Sequence, residues 1–171
     1  MPLATSDDGT GYNQRMHYII DSSQGGIAIE ETSSNGPVVL FIHGNSSCKE
    51  VFRQQLAEFG NQYHCVAMDL PGHGQSQDAP DPETSYNMTG YALAAIEVLS
   101  QFKHPWFIVG WSLGGHIAIE MLAHTDRIAG IVISGTPPMG SAAGEMETAL
   151  DRKSTRLNSS HVRTSRMPSS A

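Results

Sequence analysis

The sequence contains little of what marks secreted and membrane proteins. Only two of its 171 residues are cysteines, Cys48 and Cys65. Their spacing forms neither a CxxC motif nor the framework of a small disulfide-bonded fold, so we expect both to be reduced, with Cys65 an apolar strand residue. The first residues, MPLATSDDGTGYNQ, are acidic where a secretory signal needs positive charge, and no long apolar run follows. These absences predict a cytoplasmic protein without a membrane partner.

Positive charge is scarce along most of the chain. The formal net charge is −7, and five of the ten Lys and Arg residues fall within residues 151–171, beside the single acid Asp151. Without those five positive charges and one negative charge, the net charge falls from −7 to −11. Such an acidic body repels nucleic acid, so we expect no nucleic-acid partner. A His-rich metal motif is also missing, and we expect neither a metal nor another cofactor.

The last segment differs in character from the rest. Residues 151–171, DRKSTRLNSSHVRTSRMPSSA, are polar and basic and have no apolar period. DRKSTRLNSSH is similar to the conceptual translation of a common short-read sequencing adapter, and SRMPSSA is similar to its downstream half. This resemblance implies that the gene-derived sequence stops near Leu150. We therefore expect residues 1–150 to be the N-terminal part of one domain and residues 151–171 to be a disordered tail of artificial origin.

Short apolar runs alternate with helical patterns in the first 150 residues. RMHYII and GIAIEE are predicted to be two antiparallel strands, with Gly25 and Gly26 as the turn between them. Further strands are predicted at VVLFIH, YHCVAMDL, WFIVGW and IAGIVISG. Strands and helices that alternate in this way predict an α/β fold with a doubly wound, mostly parallel sheet. Helices are predicted over Lys49–Phe59, with Val51, Phe52, Leu56 and Phe59 on one stripe, over about Tyr86–Phe102 with Ser85 as N-cap, and over Leu113–His124.

The pattern G-x-S-x-G occurs at residues 110–114, GWSLG, between the strand WFIV and the helix LGGHIAIEML. A serine in that context lies on a sharp, strained turn with its hydroxyl exposed. Glycine suits positions 110 and 114 because a Cβ atom there would crowd the turn. We predict that Ser112 is a catalytic nucleophile. The alternative is a serine that only packs within the turn.

The segment His43-Gly44-Asn45 follows the strand VVLFI, and a loop at this place can supply a backbone N–H that helps to bind an oxyanion. The predicted donors are the backbone N–H groups of Asn45 and Leu113. The alternative for Asn45 is a loop residue that satisfies its own backbone. The glycine-rich turn DLPGHGQS, residues 69–76, is predicted to serve the architecture and not catalysis.

A serine nucleophile needs a histidine base and an acid, which in this fold follow the serine in the chain. Between Ser112 and Leu150 the only histidines are His116 and His124. His116 lies one turn along the serine's own helix and should point away from the hydroxyl, so we interpret both as surface or packing residues. We therefore expect the triad acid and histidine to lie beyond Leu150 and to be absent from the chain, which would be C-terminally truncated and inactive by itself. Loop roles are predicted for His43, His73 and His104.

From Gly26 to about Met139 the chain resembles the α/β-hydrolase family, and more narrowly the metal-independent N-acyl-homoserine lactonases of that fold. Those enzymes open the lactone ring of bacterial quorum-sensing signals with a serine, an acid and a histidine under a small cap domain. The resemblance implies that Ser112 is the nucleophile and that Asn45 and Leu113 line the oxyanion hole. It gives no counterpart for the acid, the histidine or the cap. It rests on HGNSS, FRQQL, DLPGHGQS, DPETSYNMTGYA, GWSLGGHIAIEML and SGTPP.

The function expected from these features is hydrolysis of a small-molecule ester or lactone by nucleophilic acyl transfer. A general carboxylesterase or a cofactor-free haloperoxidase would use the same groups, and a non-catalytic ligand-binding homologue could use the same scaffold. An epoxide hydrolase or dehalogenase is disfavoured because those enzymes place a carboxylate where this chain has Ser112. The sequence leaves the acyl chain length and the oligomeric state open.

Overall fold

The computed structural model describes residues 15–103 and 105–137. The predicted end of the gene-derived sequence near Leu150 and the predicted tail, residues 151–171, lie outside these residues, as does His104. Within them, no helix combines the length and the apolarity needed to cross a membrane. The strands are β1 (Arg15–Ser22), β2 (Gly25–Thr32), β3 (Val38–Ile42), β4 (His64–Met68), β5 (Trp106–Trp111) and β6 (Ile128–Ser134). The helices are a 3₁₀ helix (Lys49–Phe52), α1 (Arg53–Phe59), α2 (Pro82–Ser85), α3 (Met88–Ser100) and α4 (Leu113–His124).

Six strands form one sheet in the order β1-β2-β4-β3-β5-β6. The four strands from β4 to β6 in this order are mutually parallel. The hairpin β1-β2 adds two antiparallel strands at one edge. The predicted α/β fold with a mostly parallel sheet is therefore confirmed.

The two faces of the sheet are covered by different helices, which makes the sheet doubly wound. Leu40 and Ile42 of β3 point to the larger apolar cluster, which includes residues of α3 and α4. Phe41, between them, points to the opposite face. Because β3 is buried on both faces, its sequence is a continuous apolar run and not an alternating one. The cluster on the second face consists of Phe41, Phe52, Leu56, Cys65 and Ala67.

The turn between β1 and β2 lies two residues before its predicted position. Ser23 and Gln24 form the turn, whereas Gly25 and Gly26 are the first residues of β2. Gly25 has a φ of +99°, a conformation that glycine adopts without steric cost. The Gly-Gly pair therefore marks the start of the strand, and the prediction that it forms the turn is wrong.

The predicted helix Lys49–Phe59 is divided into a 3₁₀ helix followed by α1. The 3₁₀ turn has three residues per turn, so the apolar stripe expected from an α-helical period is not kept in register. Phe52 and Leu56 are buried as predicted, but Val51 and Phe59 are 43% and 44% exposed.

The prediction that Ser85 is the N-cap of the helix at about Tyr86–Phe102, which the structure shows as α3, is also wrong. Ser85 ends the short helix α2, and Asn87 is the N-cap of α3, where its side chain accepts a hydrogen bond from the Gly90 N–H at 2.9 Å. Asn and Ser are comparably good caps, so the two candidates could not be separated by residue type.

Both cysteines are free thiols, as expected. Cys65 lies in β4 and is fully buried. Burial raises the pKa of Cys65 to about 11, although a hydrogen bond with Thr32 acts in the opposite direction. This thiol is therefore an apolar core group at neutral pH.

Candidate active site

Ser112 occupies the single residue between β5 and α4, with φ 54° and ψ −115°. A non-glycine residue in such a conformation costs on the order of 1–3 kcal/mol and needs support from its surroundings. The Ser112 N–H donates to the Ser134 carbonyl at 2.8 Å, and its own carbonyl accepts from the Gly115 N–H at 3.0 Å. The Thr136 hydroxyl donates to the same carbonyl at 3.0 Å. Three hydrogen bonds thus hold the Ser112 backbone in the strained turn.

The Ser112 side chain is not used to cap the helix. Ser112 stands at the N-cap of α4, where a serine oxygen ordinarily accepts a hydrogen bond from a backbone N–H of the first turn, yet it makes no such bond. The residue is half-buried. Its hydroxyl therefore remains available for chemistry at the start of α4.

Glycines permit the close approach of three elements around Ser112. A Cβ atom on Gly110 would lie 2.3 Å from the Gly114 carbonyl oxygen, and a Cβ atom on Gly114 would lie 2.1 Å from the Ile42 carbonyl oxygen. Real Cβ atoms essentially never approach backbone so closely. These distances confirm the prediction that a Cβ atom at position 110 or 114 would crowd the turn.

The loop after β3 lies against the serine. β3 and β5 are adjacent parallel strands, with Ile42 opposite Gly110, so the segments that follow them meet at the same edge of the sheet. A Cβ atom on Gly44 would lie 3.1 Å from the Ser112 Cβ atom. The structure therefore brings the residue before Asn45 into contact range of Ser112.

The two predicted oxyanion donors are free to act as donors. Asn45 is exposed in the loop that follows Gly44, and Leu113 is the first residue of α4. In the part of the chain that the structure describes, neither backbone N–H donates a hydrogen bond to a protein group. The Leu113 N–H also lies at the positive end of the helix dipole, which favours an anion.

His43, for which the sequence suggested only a loop role, is fully buried beside this loop. The Leu70 N–H donates to His43 Nε2 at 3.0 Å, so that nitrogen carries no proton. Nδ1 lies 2.7 Å from the Gly44 carbonyl oxygen, which can only accept, so Nδ1 carries the proton. His43 is therefore neutral. Burial lowers its pKa, against the opposing effect of the hydrogen bond to Gly44.

A buried ion pair braces the glycine-rich turn next to the site. The side chains of Lys49 and Asp69 are 1% and 0% exposed, and Lys49 Nζ lies 2.8 Å from Asp69 Oδ2. Lys49 Nζ also donates to Gln75 at 2.9 Å, and the Gln75 N–H donates to Asp69 at 2.9 Å. Burial opposes the charge on Lys49, but its hydrogen bonds to Asp69 and Glu50 leave its pKa raised. Sequence reasoning missed this pair because no local pattern links residues 20 positions apart.

Other histidines of the described residues have no hydrogen bond to Ser112. His73 Nδ1 lies 3.0 Å from the Pro71 carbonyl oxygen, and His124 pairs with Glu120 at 3.1 Å on the exposed side of α4. His116 is half-buried, with a buried Nδ1 that has no hydrogen-bond partner there. The described residues also contain no group of three or more His, Cys, Asp or Glu side chains that could hold a metal ion.

Three known proteins similar to this chain have names that state an enzymatic activity. The solved structure of the N-acyl homoserine lactonase AidH complexed with N-butanoyl homoserine is 46% identical, with a TM-score of 0.69 over 72% of this chain and 46% of that chain. A putative 2-succinyl-6-hydroxy-2,4-cyclohexadiene-1-carboxylate synthase of Haemophilus influenzae is 33% identical over 57% of this chain and 40% of its own length. A pimeloyl-[acyl-carrier protein] methyl ester esterase of Chromobacterium violaceum is 32% identical over 63% of this chain and 40% of its own length. The chain thus spans less than half the length of these relatives.

The family model that describes the alpha/beta hydrolase fold matches residues 37–156 of this chain. This range contains both the loop after β3 and the turn that carries Ser112. It also contains the parallel strands β3 to β6 and the helices that cover them. The chain belongs to the alpha/beta hydrolase fold family.

Proposed function

We propose that the protein containing this chain is a serine hydrolase that opens N-acyl-homoserine lactones by nucleophilic acyl transfer. The observation that carries the proposal is Ser112, held at φ 54° with a hydroxyl that does not cap its helix. Backbone strain that is supported by several partners is typical of functional sites. Family membership and the ester-cleaving and lactone-cleaving relatives support the same class of reaction.

The proposed reaction uses Ser112, the two predicted N–H donors and a histidine of the longer protein. Ser112 Oγ attacks the lactone carbonyl carbon while a histidine takes the hydroxyl proton, and the N–H groups of Asn45 and Leu113 donate to the resulting oxyanion. The ring C–O bond then breaks, and the histidine returns the proton to the departing ring oxygen. Water, deprotonated by the same histidine, attacks the acyl-enzyme and releases the N-acyl-homoserine carboxylate.

We further propose that the histidine and its acid lie in chain that follows Leu150 in a longer protein. None of the described histidines is hydrogen-bonded to Ser112, and in this fold the base follows the serine in the chain. The relatives have more than half of their length outside the matched part. The 171-residue chain by itself would then be inactive, because none of its described histidines is hydrogen-bonded to Ser112 to act as the base.

The choice of a lactone over another ester rests on the lactonase relative. Solved structures of AidH hold N-butanoyl homoserine, whereas a serine-to-glycine variant of it holds N-hexanoyl homoserine lactone. The esterase of C. violaceum, at 32% identity, makes a methyl ester the second candidate substrate class.

In the full-length protein we expect Ser112→Ala to lower kcat/KM by roughly 10³-fold or more without unfolding. Removal of a triad serine leaves only the contributions of the oxyanion hole and of binding. The measurement is ring opening of N-acyl-homoserine lactones, followed by acid release. Ser33→Ala, in the exposed loop between β2 and β3, is the matched control and should keep full activity.

The substrate class is tested with the same proteins. Lactones with short and long acyl chains are compared with a simple aryl ester and a methyl ester. Turnover of the esters without turnover of any lactone would remove the lactonase proposal and leave the serine mechanism. Unchanged activity in Ser112→Ala would contradict both.

A further inference from the structure

The ring of His43 controls one peptide plane of the loop beside Ser112. Its Nδ1–H donates to the Gly44 carbonyl oxygen at 2.7 Å. That carbonyl belongs to the same planar peptide unit as the Asn45 N–H, and in a trans peptide the C=O and N–H bonds point in opposite directions. The direction of the Gly44 carbonyl therefore determines the direction of the Asn45 N–H.

The ring is itself held in place. His43 Nε2 accepts a hydrogen bond at 3.0 Å from the N–H of Leu70, which lies two residues after the end of β4. A flip of the ring would break both hydrogen bonds, and the side chain is fully buried, so solvent cannot replace them. The Gly44–Asn45 peptide is thus anchored through His43 to the end of a core strand.

The Gly44–Asn45 peptide, which His43 holds, lies beside Ser112. A Cβ atom on Gly44 would lie 3.1 Å from the Ser112 Cβ atom, so the loop directly faces the serine. Asn45 has no intramolecular acceptor for its N–H in the described residues. An oxyanion hole depends on donors that are already oriented before charge develops.

We propose that His43 is a positioning residue, which aims the Asn45 N–H at the oxyanion by holding the Gly44 carbonyl with its Nδ1–H. This inference rests on the proposed function of Ser112. It assigns to His43 an effect on the transition state and not on ground-state binding. A purely structural histidine would instead affect folding and leave the kinetic constants of the folded enzyme unchanged.

Two substitutions separate the two ring nitrogens. In His43→Asn the side-chain amide lies as many bonds from Cβ as Nδ1 does, so it can still donate to the Gly44 carbonyl. In His43→Gln the terminal oxygen lies as far along the chain as Nε2, so it can accept from Leu70 but the donation to Gly44 is lost. His124→Asn, on the exposed surface of α4, is the control for replacing a histidine.

In the full-length enzyme we expect His43→Gln to lower kcat on the order of 10- to 100-fold with little change in KM, less than the roughly 10²- to 10³-fold that follows complete removal of an oxyanion donor. His43→Asn should recover most of that loss, to within about threefold of the unsubstituted kcat. The second measurement is the inhibition constant of an alkylboronic acid, which forms a tetrahedral anion on the serine. A purely structural role of His43 would leave this constant unchanged. If His43 is a positioning residue, the constant should rise in His43→Gln by the same factor by which kcat/KM falls.

The outcomes separate this inference from the function on which it rests. Equal losses in both variants, unchanged kinetics in both, or failure of both to fold would overturn the positioning role. A boronic-acid constant that does not follow kcat/KM would overturn it as well. If Ser112→Ala is inactive and the boronic acid inhibits the unsubstituted enzyme, the serine mechanism stands whatever His43 does. If Ser112→Ala remains active, the serine mechanism itself fails.

Discussion

At the scale of the residue, Ser112 and His43 show how the chain supports a conformation that is unfavourable in isolation. The Ser112 backbone is held by Ser134 and Thr136, which follow it by more than 20 positions. His43 is held by Leu70, 27 positions away. Each support comes from a neighbouring strand end, so the site depends on completion of the parallel sheet.

The lowered pKa of His43 predicts how folding stability depends on pH. This pKa is lowered from the ordinary value of 6.5, mainly by burial and further by the nearby His73 ring, while the Gly44 carbonyl, Asp69 and Glu50 oppose the shift. Below about pH 6.5 the unfolded chain therefore binds a proton more readily than the folded one, so folding stability is lost as the pH falls. In the full-length protein, urea midpoints measured from pH 8 to pH 5 should fall less in His43→Asn than in the unsubstituted protein.

A second variant without the imidazole ring tests the same pH dependence. His43→Gln also lacks the titrating ring, so both variants should show the same flatter dependence even though their activities differ. A variant slope equal to that of the unsubstituted protein would show that His43 does not contribute to acid sensitivity.

The strained turn at Ser112 could be predicted from the sequence and the hydrogen bonds of His43 could not, for a physical reason. The G-x-S-x-G pattern is local, because the close approach of strand, turn and helix demands glycines within five residues. The protonation of His43 depends on Leu70, which no spacing rule connects to it. The Lys49–Asp69 pair was missed for the same reason.

At the scale of the element, the order of strands and helices could be predicted, but some boundaries could not. Strand β3 is an apolar run because both of its faces are buried. Such a run can be recognised within the segment itself, without knowledge of the elements that pack against it. The ends of helices depend on single side-chain contacts. Ser85 and Asn87 offer similar caps, and the choice between them follows from contacts with α2 that the sequence does not reveal.

Asn87 joins α2 to α3 as well as capping α3. Its Oδ1 accepts from the Gly90 N–H, and its Nδ2 donates to the carbonyls of Glu83 at 3.1 Å and Thr84 at 3.0 Å. We expect Asn87→Ala to lower the free energy of unfolding by about 0.5–2 kcal/mol, the usual effect of losing an N-cap. Urea denaturation of the full-length protein measures the change.

Asn87→Asp separates the two roles, because a carboxylate keeps the cap and loses both donations. Its stability should lie between that of Asn87→Ala and that of the unsubstituted protein. Equal stability of all three proteins would show that α3 does not depend on this cap.

At the scale of the whole molecule, the two edges of the sheet differ. β1, at one edge, carries Arg15, His17 and Asp21, and charges on an edge strand discourage pairing with other chains. β6, at the other edge of the described sheet, is paired only with β5 and has no charged residue in IAGIVIS. Its Val132 and Ile133 are 48% and 44% exposed.

The 171-residue chain, expressed as written, should therefore self-associate through β6. An uncharged strand with exposed apolar side chains presents unpaired backbone groups to another copy, and association would bury both. Light scattering after size exclusion should show a mass that rises with concentration, and unfolding should lack a single cooperative transition. Ile133→Lys should reduce the association by placing a charge on this edge, whereas Ile19→Lys, on the already charged strand β1, should change it little. A soluble monomer with a cooperative thermal transition would contradict the prediction, because it would mean that the described sheet is stable with β6 uncovered.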